Sequence, residues 1–165
     1  MFEVEGQLAY AIFPSVGELM GACSHLSRVA IDIPIGLPWS LCPTHACDRE
    51  AGELLGPRRS SVFSPPARNA ITRDGKEAMR KANLLEVQRS LSEQALGITA
   101  KIAETDRWLR SNRDSVSQLV EVHPEVCFWG LQGGKPMAHS KRCAEGRDER
   151  LKVLGRWEPR SDALV

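Results

Sequence analysis

No stretch of about 18 consecutive apolar residues occurs in this chain of 165 residues, so no membrane-spanning helix is expected. Neither sign of charge dominates. There are 22 Lys and Arg against 21 Asp and Glu, a net charge of +1, so a nucleic-acid surface has to be a local patch rather than a global excess. The opening Met1-Phe2-Glu3-Val4-Glu5 has neither the basic nor the apolar region of a secretory leader. Five cysteines, odd in number and irregularly spaced, make no disulfide framework and favour reduced thiols, so the cytoplasm is the expected compartment. Internal repeats and heptad runs are missing as well. What remains is ordinary: 42% apolar and 26% charged residues, enough for a single domain over residues 1–165 with its own core.

The punctuation of the chain predicts an α/β order. Phe2–Glu5 and Leu8–Phe13 read as a hairpin around Gly6-Gln7. Ser15 with Glu18 three positions on forms a capping box for a helix running to about Cys23. Arg28–Ile33 is a β-branched strand of the kind buried on both faces of a parallel sheet, ended by Pro34, Gly36 and Pro38. A helix is predicted over His45–Leu55, stopped by Gly56-Pro57. Arg58–Arg68 is read as irregular, and Asp74–Glu86 as helical. Leu91, Ala95, Ile98, Ile102 and Leu109 mark one face of a long helix. A second strand ends at Glu121, a short helix starts at Pro124, Gly130–Pro136 is a glycine-rich loop, and Cys143–Leu154 is a last helix.

Two acidic strand ends carry the chemistry. Val29-Ala30-Ile31-Asp32-Ile33-Pro34 and Leu119-Val120-Glu121-Val122-His123-Pro124-Glu125 each set a carboxylate in or beside an apolar run, where it needs a cation or donor. If the strands lie side by side, Asp32 and Glu121 converge as a divalent-metal phosphodiesterase requires. Pro124 holds His123 extended, so Glu121 and His123 share a face. His123 can then move a proton, and Glu125 either assists or merely favours the helix dipole. Arg58-Arg59 and Ser60-Ser61 offer phosphate donors, or are solvated and locally paired. Lys141, Arg147 and Arg150 belong to the most basic region, with eight Lys/Arg against four Asp/Glu between Lys135 and Arg160. That region reads as a backbone-contact patch or as a solvated helix face. Asp106, Gln94 and Lys101 read as boundary residues of the long helix. Cys42, His45 and Cys47 are zinc-competent, but a structural zinc needs four ligands and Cys127 and Cys143 are isolated, so zinc is not expected. Trp39, Trp108, Trp129 and Trp157 are too scattered for a base-stacking platform.

Ile31-Asp32-Ile33-Pro34-Ile35-Gly36-Leu37-Pro38, Cys47-Asp48-Arg49 and Arg59-Ser60-Ser61-Val62-Phe63-Ser64-Pro65-Pro66 closely resemble the family called domain of unknown function 429. Gln94-Ala95, Lys101-Ile102, Glu121-Val122-His123-Pro124-Glu125 and the stretch from Ser140-Lys141 to Arg150-Leu151 continue the resemblance, over about Ala30–Leu154. It implies a ribonuclease H-like mixed sheet flanked by helices, a nuclease acting on nucleic acid, and Mg²⁺ or Mn²⁺ held by Asp32 and Glu121. The family's opening Gly-Val-Asp-Gly strand and its closing helix with an aspartate pair have no counterpart here, so the fold is expected to be incomplete at both ends. The place of that first strand is filled by another segment, avoided by rearrangement, or completed by a second copy of the chain. The competing expectation is a non-catalytic binding or scaffold module with an incomplete metal site; hydrolysis of a smaller phosphate ester is a third.

Overall fold

The computed structural model describes residues 2–4 and 7–158. The chain opens with an antiparallel pair, β1 (Phe2–Val4) and β2 (Gln7–Ala9). The predicted second strand is thus cut short at Ala9, and Tyr10 and Ile12 beyond it are almost fully exposed. Ser15 caps α1 (Val16–Ala22): its hydroxyl accepts the Glu18 amide at 3.1 Å, the bond the capping box requires.

Next come β3 (Val29–Ile31) and α2 (Ala46–Leu55), which runs into a 3-10 turn over Gly56–Ser61. The expectation of an irregular Arg58–Arg68 is corrected in its first half: Arg58 to Ser61 are helical, with Pro57 supplying a φ suited to a helix start. Then follow α3 (Lys76–Val87), α4 (Glu93–Ser111), β4 (Leu119–Glu121), α5 (Pro124–Leu131) and α6 (Ala144–Trp157). β3 and β4 pair in parallel, with Val29 opposite Leu119 and Ile31 opposite Glu121. The architecture is therefore mixed α/β, with six α-helices and two sheets of two strands each among the described residues. No described helix is long and apolar enough to cross a membrane.

The main core joins α1, the parallel pair and α4. Val16, Met20, Cys23, Val29 and Leu119 are buried together, with Leu19, Ile31, Ile35, Trp108 and Leu109 packed against them. On α4 the buried stripe includes Thr99 and Thr105, which an apolar count passes over. Their hydroxyls donate to the carbonyls of Ala95 (2.8 Å) and Lys101 (2.9 Å), which satisfies them within the helix. β3 has no strand on its other edge among the described residues. A cleft of about 570 Å³ is lined by Val29, Ala30 and Ile31 of β3 together with Phe13, Leu19 and Ile33 among others.

α6 is locked to the loop before it by contacts that leave no room for growth. A Cβ on Gly146 would stand 1.9 Å from the Ser140 carbonyl oxygen and 2.5 Å from its carbon. In an unobstructed helix interior a Gly→Ala change stabilises by roughly 0.5–1 kcal/mol. Here the sign reverses, because the obstacle is backbone. Gly146→Ala is expected to destabilise by about 1–3 kcal/mol, a fall of roughly 2–12 °C in a thermal melt.

Candidate metal centre

The segment after β3 is fixed by two groups from distant parts of the chain. The Ile35 amide donates to Glu121 Oε2 at 2.8 Å, and the Ile35 carbonyl accepts from His45 Nε2 at 2.7 Å. Glu121 comes from the end of β4 and His45 from the N-terminus of α2, so one backbone residue joins strand, loop and helix. His45 is buried, and its Nε2 lies 4.0 Å from Glu121 Oε2.

Helical spacing brings the rest of α2's first turn to the same place. Asp48, three residues after His45, puts Oδ2 3.0 Å from Nδ1 of the ring. That contact is too bent for a full hydrogen bond, and Asp48 Oδ2 is buried without a hydrogen-bond partner. Cys47 Sγ lies 3.3 Å from both ring nitrogens. One donor atom from each of His45, Cys47, Asp48 and Glu121 falls within 4.8 Å of the others.

The environment shifts three of these groups. The Asp48 carboxylate, helped by the Ile35 carbonyl and by Glu121, holds the His45 ring proton against burial and lifts its pKa to about 9. Burial pushes Glu121 up, with the Ile35 amide and His45 pulling the other way. Burial and the neighbouring carboxylates push the Cys47 thiol up.

His45 thus titrates above its ordinary 6.5 in the folded chain. Its proton contributes stability that is fully present below pH 6.5 and is lost as pH rises through about 9. In metal-free buffer, the melting temperature of the chain is expected to fall over that interval more than that of His45→Gln. With only four histidines, the ring can be followed by NMR, and Asp48→Asn is expected to move its midpoint downward.

Around the cluster lie two hollows. A small one of about 30 Å³ is lined by Asp32, Asp48, Glu121 and His123, with Phe63 and Val62 as apolar wall. A larger cleft of about 790 Å³ is lined by His45, Asp48, Arg49, Arg59, Ser60 and Arg89 among others. His45 and Asp48 therefore join the cluster to an arginine-rich groove.

The sequence-predicted residues divide accordingly. Asp32 follows β3 in a bend, is exposed, and shares the small hollow with Glu121 without joining the four grouped donors. His123 is extended before Pro124 as expected. Its Nε2 donates to the Ser61 carbonyl at 3.2 Å, and its buried Nδ1 has no partner among the described residues. Arg59 and Ser60 line the large cleft. Ser61 spends its hydroxyl on the Arg58 carbonyl at 2.8 Å, and Arg58 is half-buried with Nε unpartnered. Lys141 and Arg147 are exposed on the α6 side.

Glu125 and Arg150 are corrected. Both are buried, and Arg150 Nη2 donates to the two Glu125 oxygens at 2.7 and 2.8 Å. The guanidinium also stands over the Phe128 ring, 5.6 Å from its centre. A carboxylate and a guanidinium paired to each other under the surface are engaged in structure and are not presented to solvent as a phosphate-gripping group is, although Arg150 Nε is itself unpartnered among the described residues. Of the zinc-competent Cys42, His45 and Cys47, the last two join the cluster and Cys42 does not: it is exposed and bridges Trp39 through backbone bonds. The residue passed over in the sequence is Asp48, whose signal was its place three residues after His45 at a helix start.

The donor set tests the metal. Mg²⁺ requires near-octahedral oxygen ligands, and a set containing imidazole nitrogen and thiol sulfur does not match it. The four residues could hold a metal ion, and their nitrogen and sulfur donors do not match Mg²⁺. Comparison with curated proteins and with solved structures found no match. A family profile does match, described as "Protein of unknown function (DUF429)", and it covers residues 1–164, well beyond the Ala30–Leu154 stretch that carries the resemblance in the motifs. The chain belongs to that family.

Proposed function

We propose that this chain is a metal-dependent, nuclease-like protein that hydrolyses phosphodiesters in nucleic acid, on a domain related to the ribonuclease H-like class. The observation that supports this reading is the junction of the four-donor cluster with a cleft lined by Arg49, Arg59 and Arg89. Guanidinium groups match phosphate oxygens geometrically, and a metal beside them supplies Lewis acidity and charge neutralisation at phosphorus. In this reading Arg59, Arg89 and Ser60 hold a phosphate, Asp48 faces both hollows, and His123 offers its free Nδ1 to a proton. Lys135, Lys152 and Arg156, with Glu149 among them, line a separate cleft of about 390 Å³, which with the exposed Lys141 and Arg147 offers a second basic surface for a polyanion.

The test is cleavage of single- and double-stranded DNA and RNA oligonucleotides by the full chain, with each divalent metal added in turn. Cleavage that Arg59→Gln weakens and Glu121→Gln removes is the expected result. A single observation favours the competing reading, a non-catalytic binding module. Both nitrogens of His45 already face protein acceptors, Ile35 O and Asp48 Oδ2, so a proton rather than a metal can hold the cluster together. Oligonucleotide binding with no turnover under any metal, and no melting shift with any metal, selects that reading.

A further inference from the structure

We infer that His45, Cys47, Asp48 and Glu121 form a binding site for a borderline divalent transition metal of the zinc type. The inference deepens the proposed function, since it rests on the premise that the cluster takes a metal, and it names the metal's class.

Three features of the cluster carry it. The first is donor chemistry: one imidazole nitrogen, one thiol sulfur and two carboxylate oxygens make four ligands of mixed softness, the number and kind that zinc takes. The second is proximity. Zinc bonded at roughly 2.0–2.3 Å holds tetrahedral donors about 3.3–3.8 Å apart. The four atoms here already lie within 4.8 Å of one another, so small side-chain rotations close the shell. The third is a buried oxygen: Asp48 Oδ2 is shielded from solvent and meets the His45 ring only through the bent 3.0 Å contact, an arrangement that a cation improves.

The frame suits such a site. Two of the ligand-bearing residues already have second contacts that set their position: His45 through Nε2 to the Ile35 carbonyl, and Glu121 through Oε2 from the Ile35 amide. Outer contacts of this kind orient ligands in metal sites. Cys47 is exposed, so the ion has a route in from solvent. On binding, both the thiol proton and the proton on His45 Nδ1 leave to water, with Nε2–H kept on the Ile35 carbonyl. Asp32 and Glu121, the pair expected from the sequence, supply oxygen only. Asp32 stands apart from the four.

Cobalt(II) is the probe, because a cysteine sulfur bound to it gives a charge-transfer band in the near ultraviolet. The metal-free full chain is titrated with Co²⁺, then with Zn²⁺ and, separately, with excess Mg²⁺. The expected result is a band that saturates at one equivalent of Co²⁺, is removed by one equivalent of Zn²⁺, and persists in excess Mg²⁺. Cys47→Ser is expected to lose the band and to weaken Zn²⁺ binding by more than the roughly 10–100-fold that an outer-shell loss costs. Cys42→Ser is expected to keep both. Absence of the band in the unmodified chain overturns the inference without recourse to any variant, as does a band that Cys47→Ser retains or that Mg²⁺ removes. The same samples are assayed for oligonucleotide cleavage. A saturable band with no cleavage under any metal upholds the site and defeats the nuclease reading. Mg²⁺-dependent cleavage that survives in Cys47→Ser, without a band, upholds the nuclease reading and defeats the site.

Discussion

Arg150→Met is expected to lower the melting temperature by about 6–20 °C, the consequence of roughly 3–5 kcal/mol lost when one partner of a buried ion pair is removed. The magnitude follows from what stays behind. Glu125 is only 4% exposed, and both of its oxygens depend on Arg150. Arg150 also donates to the Gly146 carbonyl at 2.6 Å and to the His139 carbonyl at 3.3 Å, so its removal loosens the loop before α6 as well. Glu125→Ala is expected to be comparably harmful, since it strands the guanidinium. The double change Glu125→Leu with Arg150→Met removes both charges at once and is expected to recover most of the loss, because buried pairs are often replaceable by packed apolar groups. Melting curves of the three variants check this. If Arg150 instead held a phosphate chain, Arg150→Met would leave the melting temperature unchanged and reduce the salt dependence of oligonucleotide binding.

This pair also shows where sequence reading stops. Arg150 sits in a basic stretch and Glu125 opens a helix, and each has an adequate local explanation: a solvated face for one, the helix dipole for the other. Only the docking of α5 against α6 reveals that they are one unit. By contrast, features set by neighbouring residues were legible. The Ser15 cap, the stop at Gly56-Pro57, the helix starting at Pro124 and the strands around Val29 and Leu119 all stand where local chemistry put them. The first strand does pair in parallel, as its β-branched make-up suggested. The expected burial on both faces is corrected: Ala30 and Val120 are exposed, and both strands are shorter than expected.

The metal cluster is an intermediate case. Glu121 and His45 both stand out in the sequence, but in different sets: one with Asp32 for an oxygen-bound ion, the other with Cys42 and Cys47 in a set one ligand short of structural zinc. The combination arises because β4 delivers Glu121 to the N-terminus of α2, a contact between residues far apart in sequence that spacing cannot express. Asp48 was hidden by its ordinariness, since an acid in the first turn of a helix needs no special reason. Thr99 and Thr105 escaped the core for a similar reason: their hydroxyls look polar until each is seen bonded to its own helix.

Asp48→Asn is the change expected to separate activity from stability most widely. Under the proposed function it is expected to reduce phosphodiester cleavage by about 100-fold or more, the scale of losing one charged group or of an ångström's misplacement at a reacting centre. Above about pH 9, where the His45 proton that Asp48 supports has left, the melting temperature is expected to move little; below that it falls with the proton's contribution. Asp48 supports no backbone group, its Oδ2 makes no hydrogen bond, and removing a half-desolvated charge offsets part of the lost contact to His45. Glu121 serves less well as a probe, because its carboxylate also holds the Ile35 amide and so mixes structure with chemistry. Single-turnover cleavage and thermal melting on the same preparation decide the matter. A variant that cuts like the parent but melts several degrees lower would make Asp48 a structural partner of His45 and nothing more. A variant that melts like the parent and no longer cuts would place the reacting centre where the first turn of α2 meets the end of β4.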